Sequence, residues 1–221
     1  EAGGMAEQGT FTDARDGQEY KWVRIGEQVW MAENLNYASE QSWCYENNPE
    51  NCTHYGRLYT WLTVMNGEAA SFDNPSGVQG ICPPGWHVPS QDEWDQMISH
   101  LIELGFPNDA HADIPHGAGN ALKSCRQLNS PLGDECRVYE HPRWNAQEPN
   151  FGFDAFGFSA LPAGARQDDG SFSSRGTFAY WWTSSVFENL EPRLMSILFW
   201  NSYVGGYSRY NGALSLRCVQ D

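Results

Sequence analysis

The 221-residue sequence is short of basic residues, has no long apolar run, and contains no cysteine pair at metal or redox spacing. Each shortage removes a class of protein. Thirteen Lys and Arg stand against twenty-eight Asp and Glu, a formal charge of −15. They are scattered, so the clustered cations that displace counterions from a phosphate backbone are missing and nucleic acid is a poor partner. No apolar run approaches roughly 18 residues, so no membrane-spanning helix is expected, and no signal peptide is visible. The absence of Cys-x-x-Cys argues against zinc knuckles and thioredoxin-like redox motifs. No Gly-x-Ser-x-Gly elbow occurs and no His follows Thr183-Ser184-Ser185, so serine hydrolase chemistry has no footing. The acidic balance suits a neutral or cationic ligand, and the solubility of an exported protein explains it equally well.

What is present is a dense set of rings and six cysteines. Hydrophobic residues make up 40% and aromatics 14%, enough to fill a core and leave rings for a surface. Six cysteines read as a disulfide framework in an oxidising compartment. Many pairings are formally open. Short spacing favours Cys44 with Cys52 and Cys125 with Cys136, each closing a polar loop, which leaves Cys82 for Cys218. That last bridge would close the longest loop and contribute about 4–5 kcal/mol by the chain-entropy argument. No Pro/Ser/Gly linker divides the chain, so residues 10–221 are read as one domain, with residues 1–9 as an N-terminal tether and about 106–150 as a surface insertion.

The local signals converge on Cys82-Pro83-Pro84-Gly85-Trp86-His87-Val88-Pro89-Ser90-Gln91-Asp92-Glu93-Trp94. Ser90 and Glu93 form a capping box, and Trp94, Met97, Ile98, Leu101 and Ile102 trace one helical stripe ending near Gly105. A short helix is expected over 57–65, with Leu58, Trp61, Leu62 and Met65 on one face, and another over about 118–128. Alternating runs predict a hairpin over 20–31 and strands over 158–161, 177–185, 194–203 and 214–219, with Gly205-Gly206 as a turn. The fold class is therefore α+β, two or three short helices on twisted antiparallel sheets, stapled by disulfides and rich in irregular loop.

The central run, preceded by Trp30-Met31-Ala32-Glu33-Asn34-Leu35-Asn36-Tyr37 and Tyr55-Gly56-Arg57-Leu58-Tyr59-Thr60-Trp61, resembles the Fibrobacter succinogenes major paralogous domain. Gly157-Phe158-Ser159-Ala160-Leu161-Pro162-Ala163-Gly164, Trp182-Thr183-Ser184-Ser185 and Ser215-Leu216-Arg217-Cys218-Val219 continue the likeness in order. The resemblance implies a C-type lectin-like fold related to the formylglycine-generating branch. It also implies export to the medium or outer surface of a bacterium that attaches to plant fibre, with a lipid anchor carried on a removed leader as one arrangement. Oxidase chemistry of that branch needs an accessible thiolate, and with Cys218 committed to a bridge no activity of that kind is expected. A related enzyme with lost or altered activity is the third reading.

The candidate ligand surface is aromatic. Trp182, Trp200, Asn201, Tyr203, Tyr207, Arg209, Tyr210 and Asn211 crowd the C-terminal strands and a Gly-rich turn, and rigid amphipathic rings beside amides suit a sugar face or a partner protein. Of Trp181 and Trp182, adjacent on a strand, one is expected inside and one outside. The first reading is thus a non-catalytic binding or adhesion module for polysaccharide or a surface protein, and the second a structural component of the cell surface. No cofactor is expected. Glu148-Pro149-Asn150 matches a calcium-and-hexose tripeptide of sugar-binding lectins, but it precedes the 158–161 strand and lacks further charged oxygens. His111, Asp113 and His116 lie close together in irregular sequence without a complete zinc set.

Overall fold

The computed structural model describes residues 6–112, 114–207 and 210–221. The first alternating runs form β1 (Gln8–Thr12), β2 (Glu19–Ile25) and β3 (Gln28–Met31), an antiparallel meander. Next come β4 (Ser42–Trp43), a single 3₁₀ turn, and α1 (Pro49–Tyr55). Asn48 caps α1 by accepting from the Glu50 amide, with Pro49 in the first turn, where a missing N–H costs nothing. Strand β5 (Leu58–Thr60) leads directly into α2 (Trp61–Met65), whose cap is Thr60. The chain continues through β6 (Trp86–His87), α3 (Gln91–Glu103), α4 (Ala118–Leu122), β7 (Ala165–Arg166), β8 (Phe172–Ser173), β9 (Phe178–Val186), β10 (Pro192–Leu198), β11 (Val204–Tyr207), β12 (Ala213–Leu214) and β13 (Val219–Gln220).

These strands make three sheets, ordered β1-β2-β3-β13-β6, β11-β10-β9 and β4-β5-β12-β7-β8. Every pairing between named strands is antiparallel. The last residues of the chain supply β12 to one sheet and β13 to another, so they couple sheets begun more than a hundred residues earlier. The expected single strand over 214–219 is therefore two short ones, separated at Ser215 to Cys218, where the chain crosses from sheet to sheet.

Helix α3 forms as its sequence predicts. The Ser90 hydroxyl accepts from the Glu93 amide, and the Glu93 carboxylate reaches back to the Ser90 amide. Trp94, Met97, Ile98 and Leu101 are buried, while Ile102 at the stripe's edge is 49% exposed. Trp94 meets Trp30, Phe158 and Trp181 in the larger core, which α4 and Trp144 also enter. A second core gathers Tyr20, Met31, Tyr59, Trp86, Trp182 and Leu216 around the Cys82–Cys218 bridge. The other disulfides are Cys44–Cys52 and Cys125–Cys136, and all six cysteines are paired as the spacing predicts.

Several expectations are corrected. The 106–150 segment is not simply a surface insertion: Ala118 through Lys123 are buried and Trp144 is 0% exposed, because a short Ala/Gly helix packs closely under Ser202 and Tyr203. The helix expected over 118–128 stops at Leu122. Residues 57–65 are half strand, half helix, and Leu62 is 77% exposed, since α2 is too short to bury a full stripe. Residues 158–161 contribute only an isolated bridge at Ala160, and Gly205-Gly206 belongs to β11. Both indoles of Trp181 and Trp182 are 1% exposed, because β9 has a core on each face and neither side meets solvent there.

Candidate functional site

Alternation along β9 places Phe178, Tyr180 and Trp182 on one face. The strand's burial falls toward its start, so Phe178 and Tyr180 are only half-buried. Their rings stack at 5.2 Å, and Trp200, 42% exposed, meets Phe178 edge-on at 5.0 Å. At the other end Tyr210 stacks on Tyr180 at 6.2 Å and tilts against Trp182 at 6.3 Å. The run Trp200, Phe178, Tyr180, Tyr210 is thus a continuous aromatic strip of rings fixed by one another.

The strip opens into a cleft of about 670 Å³. Trp182 and Tyr210 share its wall with Trp43, Trp61, Arg166 and Asn211, and the exposed side chains of Leu62 and Leu190 stand at its rim. The cleft is preformed. Trp61 Nε1 donates to the Thr183 carbonyl at 2.8 Å, Trp182 Nε1 to the Tyr59 carbonyl at 2.7 Å, and the Tyr210 hydroxyl to the Arg166 carbonyl at 3.2 Å. The Arg166 guanidinium lies 4.1 Å over the Trp43 ring, and its Nε is buried without a partner. Burial, then the nearby Tyr180, Asp168 and Asp169, hold the Tyr210 phenol above its usual range. It therefore remains a neutral hydroxyl through ordinary pH. Such a surface offers flat apolar faces edged by amide, guanidinium and hydroxyl groups.

The candidates from sequence divide accordingly. Tyr210 and Asn211 lie in the cleft and Trp200 at the far end of the strip. Trp182 is corrected from an exposed ligand contact to a core residue whose edge reaches the cleft, since its indole is consumed by Tyr59. Asn201 turns inward, its Oδ1 accepting from the Tyr203 amide and its carbonyl from Lys123 Nζ. Tyr203 is half-buried, with its ring beside Gly205. The side chain of Tyr207 and all of Arg209 lie outside the described residues. Glu148 is exposed, but Asn150 is buried, accepting from Asn120 Nδ2 and donating to the Trp200 carbonyl, so the tripeptide is a brace within the fold and not an open pair of oxygens. Asp113 lies outside the described residues, His111 is exposed and His116 stacks on Phe153. Among the described residues no three His, Cys, Asp or Glu side chains gather as a metal set.

Trp43, Trp61, Phe178 and Tyr180 were not among those candidates. Trp43 and Trp61 are remote in sequence and reach the cleft only through the β4-β5-β12 pairing. Phe178 and Tyr180 carry a signal, the alternation with Trp182, that points to the correct face.

The fold and cleft define a disulfide-stapled α+β domain with a preformed aromatic surface. The chain belongs to the Fibrobacter succinogenes major domain family, whose model matches residues 23–220. No curated protein and no solved structure matches it. Among the described residues no helix is long and apolar enough to cross a membrane, and three disulfides suit an extracellular, oxidising setting.

Proposed function

We propose that the chain is an exported, non-catalytic binding module of a bacterial outer surface, on a C-type lectin-like scaffold, that holds plant-fibre polysaccharide on the β9 aromatic strip and its cleft. The observation that carries this reading is the unbroken series of ring contacts from Trp200 to Tyr210, continued by Trp43 and Trp61. Pyranose rings present apolar faces and polar edges. Rigid aromatic platforms bordered by hydrogen-bonding groups match that pattern at little entropic cost. A neutral polymer is not repelled by a chain of formal charge −15. Recognition is assigned to rings and amides, with no cofactor and no calcium. The second reading, docking of a cell-surface protein or assembly partner, draws on Leu62 and Leu190, each 77% exposed at the cleft rim.

Retention on insoluble cellulose and xylan tests the proposal. Trp200→Ala and Tyr180→Ala should each weaken retention by about tenfold or more, and the exposed Trp200→Ala should do so with little change in melting temperature. Retention should survive EDTA. Full retention by both variants, or a loss in EDTA restored by calcium, would overturn the reading. No retention of the wild type on either polysaccharide, together with binding to bacterial cell-surface protein that Leu62→Ser abolishes, would favour the protein partner.

A further inference from the structure

A second concavity lies apart from the aromatic strip. This polar pocket of about 190 Å³ is bounded by Tyr20, Asn34, Asn36, Ser159 and Arg217, with the exposed Lys21 and Glu33 also on its wall. Asn34 is its hub and spends every hydrogen bond its side chain has. Its Oδ1 accepts from Trp181 Nε1 and Arg217 Nε, and its Nδ2 donates to the Tyr55 carbonyl and the Ser215 hydroxyl.

Other groups on this wall are not spent. Arg217 is 1% exposed, and beyond Asn34 it donates to the carbonyls of Phe158 and Ser159, all neutral acceptors. A guanidinium has five N–H donors, so one on each terminal nitrogen remains. Among the described residues no carboxylate lies within ion-pair distance of it. Burial draws its pKa down to about 9, with Asp154 and Glu33 acting against that from further away. Asn36 Oδ1 is buried with no partner. The Tyr20 hydroxyl accepts from the Asn36 amide, and among the described residues no acceptor takes its own proton. A buried cation whose carboxylates, Asp154 and Glu33, stay beyond ion-pair distance and an orphaned acceptor are both costly arrangements, and both costs fall when a complementary ligand arrives.

We infer that this pocket binds a single uronic acid residue, with its carboxylate on Arg217 and its hydroxyls on Asn36 and Tyr20. With one N–H left on each terminal nitrogen and no carboxylate within ion-pair distance, the guanidinium favours an anionic oxygen acceptor such as a carboxylate. The unpartnered Oδ1 of Asn36 and the hydroxyl of Tyr20, which meets the amide of that same Asn36, suit a hydroxyl, which is both donor and acceptor. The volume equals roughly six waters at about 30 Å³ each and falls below the range of about 300 Å³ upward that holds larger ligands, so it limits the occupant to about one sugar ring. Glu33 is the opposing charge on the wall; its Oε2 is held by the Lys21 amide, and it should lower affinity for an anion. The site shares no residue with the aromatic cleft, so the two proposals stand or fall separately.

Calorimetric titration of the full chain with glucuronate and galacturonate, with glucose and acetate as controls, tests it. Uronate should bind in the millimolar range or tighter, and glucose and acetate at least about tenfold more weakly. Tyr20→Phe and Asn36→Ala keep the Arg217 network and should remain folded by circular dichroism while weakening uronate about fivefold or more. Glu33→Gln should strengthen it, and retention on cellulose should be unchanged in all three. A trigalacturonate that binds as well as the monomer assigns the site to the end of a polymer, whereas one that fails to bind assigns it to the free sugar acid. The inference is overturned if neither uronate binds, if glucose binds equally well, or if folded Tyr20→Phe and Asn36→Ala bind uronate like the wild type.

Discussion

Removing the Glu93 carboxylate should be among the most damaging single changes outside the apolar core. The residue is 1% exposed and its side chain serves three groups. Oε2 accepts from the Ser90 amide at 2.9 Å and the Ser76 amide at 3.1 Å, and Oε1 meets His87 Nε2 at 2.6 Å. Glu93→Ala orphans two backbone donors, at about 1–3 kcal/mol each, and strips a buried histidine of its partner. The expected total is about 3–5 kcal/mol. Glu93→Gln retains an acceptor and should cost about half as much, and Ser90→Ala, which loses one cap bond, about 1 kcal/mol. At about 2–4 °C per kcal/mol for a chain of this size, Glu93→Ala should melt roughly 10 °C lower. The pH dependence gives a second reading. Burial alone would lower the His87 pKa, but the contacts with Glu93 and Asp221 override it and hold the imidazole above its ordinary value. A raised native pKa contributes stability that is complete below about pH 6.5 and is lost as pH rises through the native value. The gap between wild type and Glu93→Gln in urea melts should therefore widen as pH falls from about 8 to about 6. Costs near 1 kcal/mol for both Glu93→Ala and Ser90→Ala, with a gap independent of pH, would refute the reasoning.

Two further outcomes follow from buried groups. Replacing Cys82 and Cys218 together by Ala should cost about 4–5 kcal/mol, more than loss of either shorter bridge, because their loop spans 136 residues; guanidinium melts of the three double variants rank them. Lys123, fully buried and bonded to Asn120 Oδ1 and the Asn201 carbonyl, has its pKa lowered to about 7 by desolvation. The unfolded chain then binds more protons between about pH 7 and 10, so wild-type stability should rise across that range, and Lys123→Met should flatten the rise in melts at about pH 7, 8 and 9.

Features specified by neighbouring residues were legible in the sequence. The α3 cap and stripe lie within fourteen residues, and two of the three disulfides close loops of 8 and 11 residues. The strand identity of residues 178–186 was equally clear, but not its surroundings. Period-2 alternation predicts one solvent face, and nothing local to Trp182 reveals that Tyr59 and Leu216 cover the other. Helix α1 was missed because Pro-Glu-Asn-Cys-Thr-His-Tyr has no apolar stripe; a cap, a proline and a disulfide set it. The candidate site was half legible. Its C-terminal rings cluster in sequence, whereas Trp43 and Trp61 join them only through long-range pairing. Lys123 and Arg217 run against the ordinary preference of cations for water, and only the assembled carbonyls and amides around them show why they are inside.

The Cys82–Cys218 bridge has a consequence for survival among proteases. Every peptide bond between those two cysteines lies inside a covalent ring. Hydrolysis of any one of them yields two polypeptides that are still joined by the bridge, with Cys82 on one and Cys218 on the other. A molecule nicked once in an exposed loop therefore keeps its parts and its register, and its wound becomes visible only when a reductant separates the pieces on a gel.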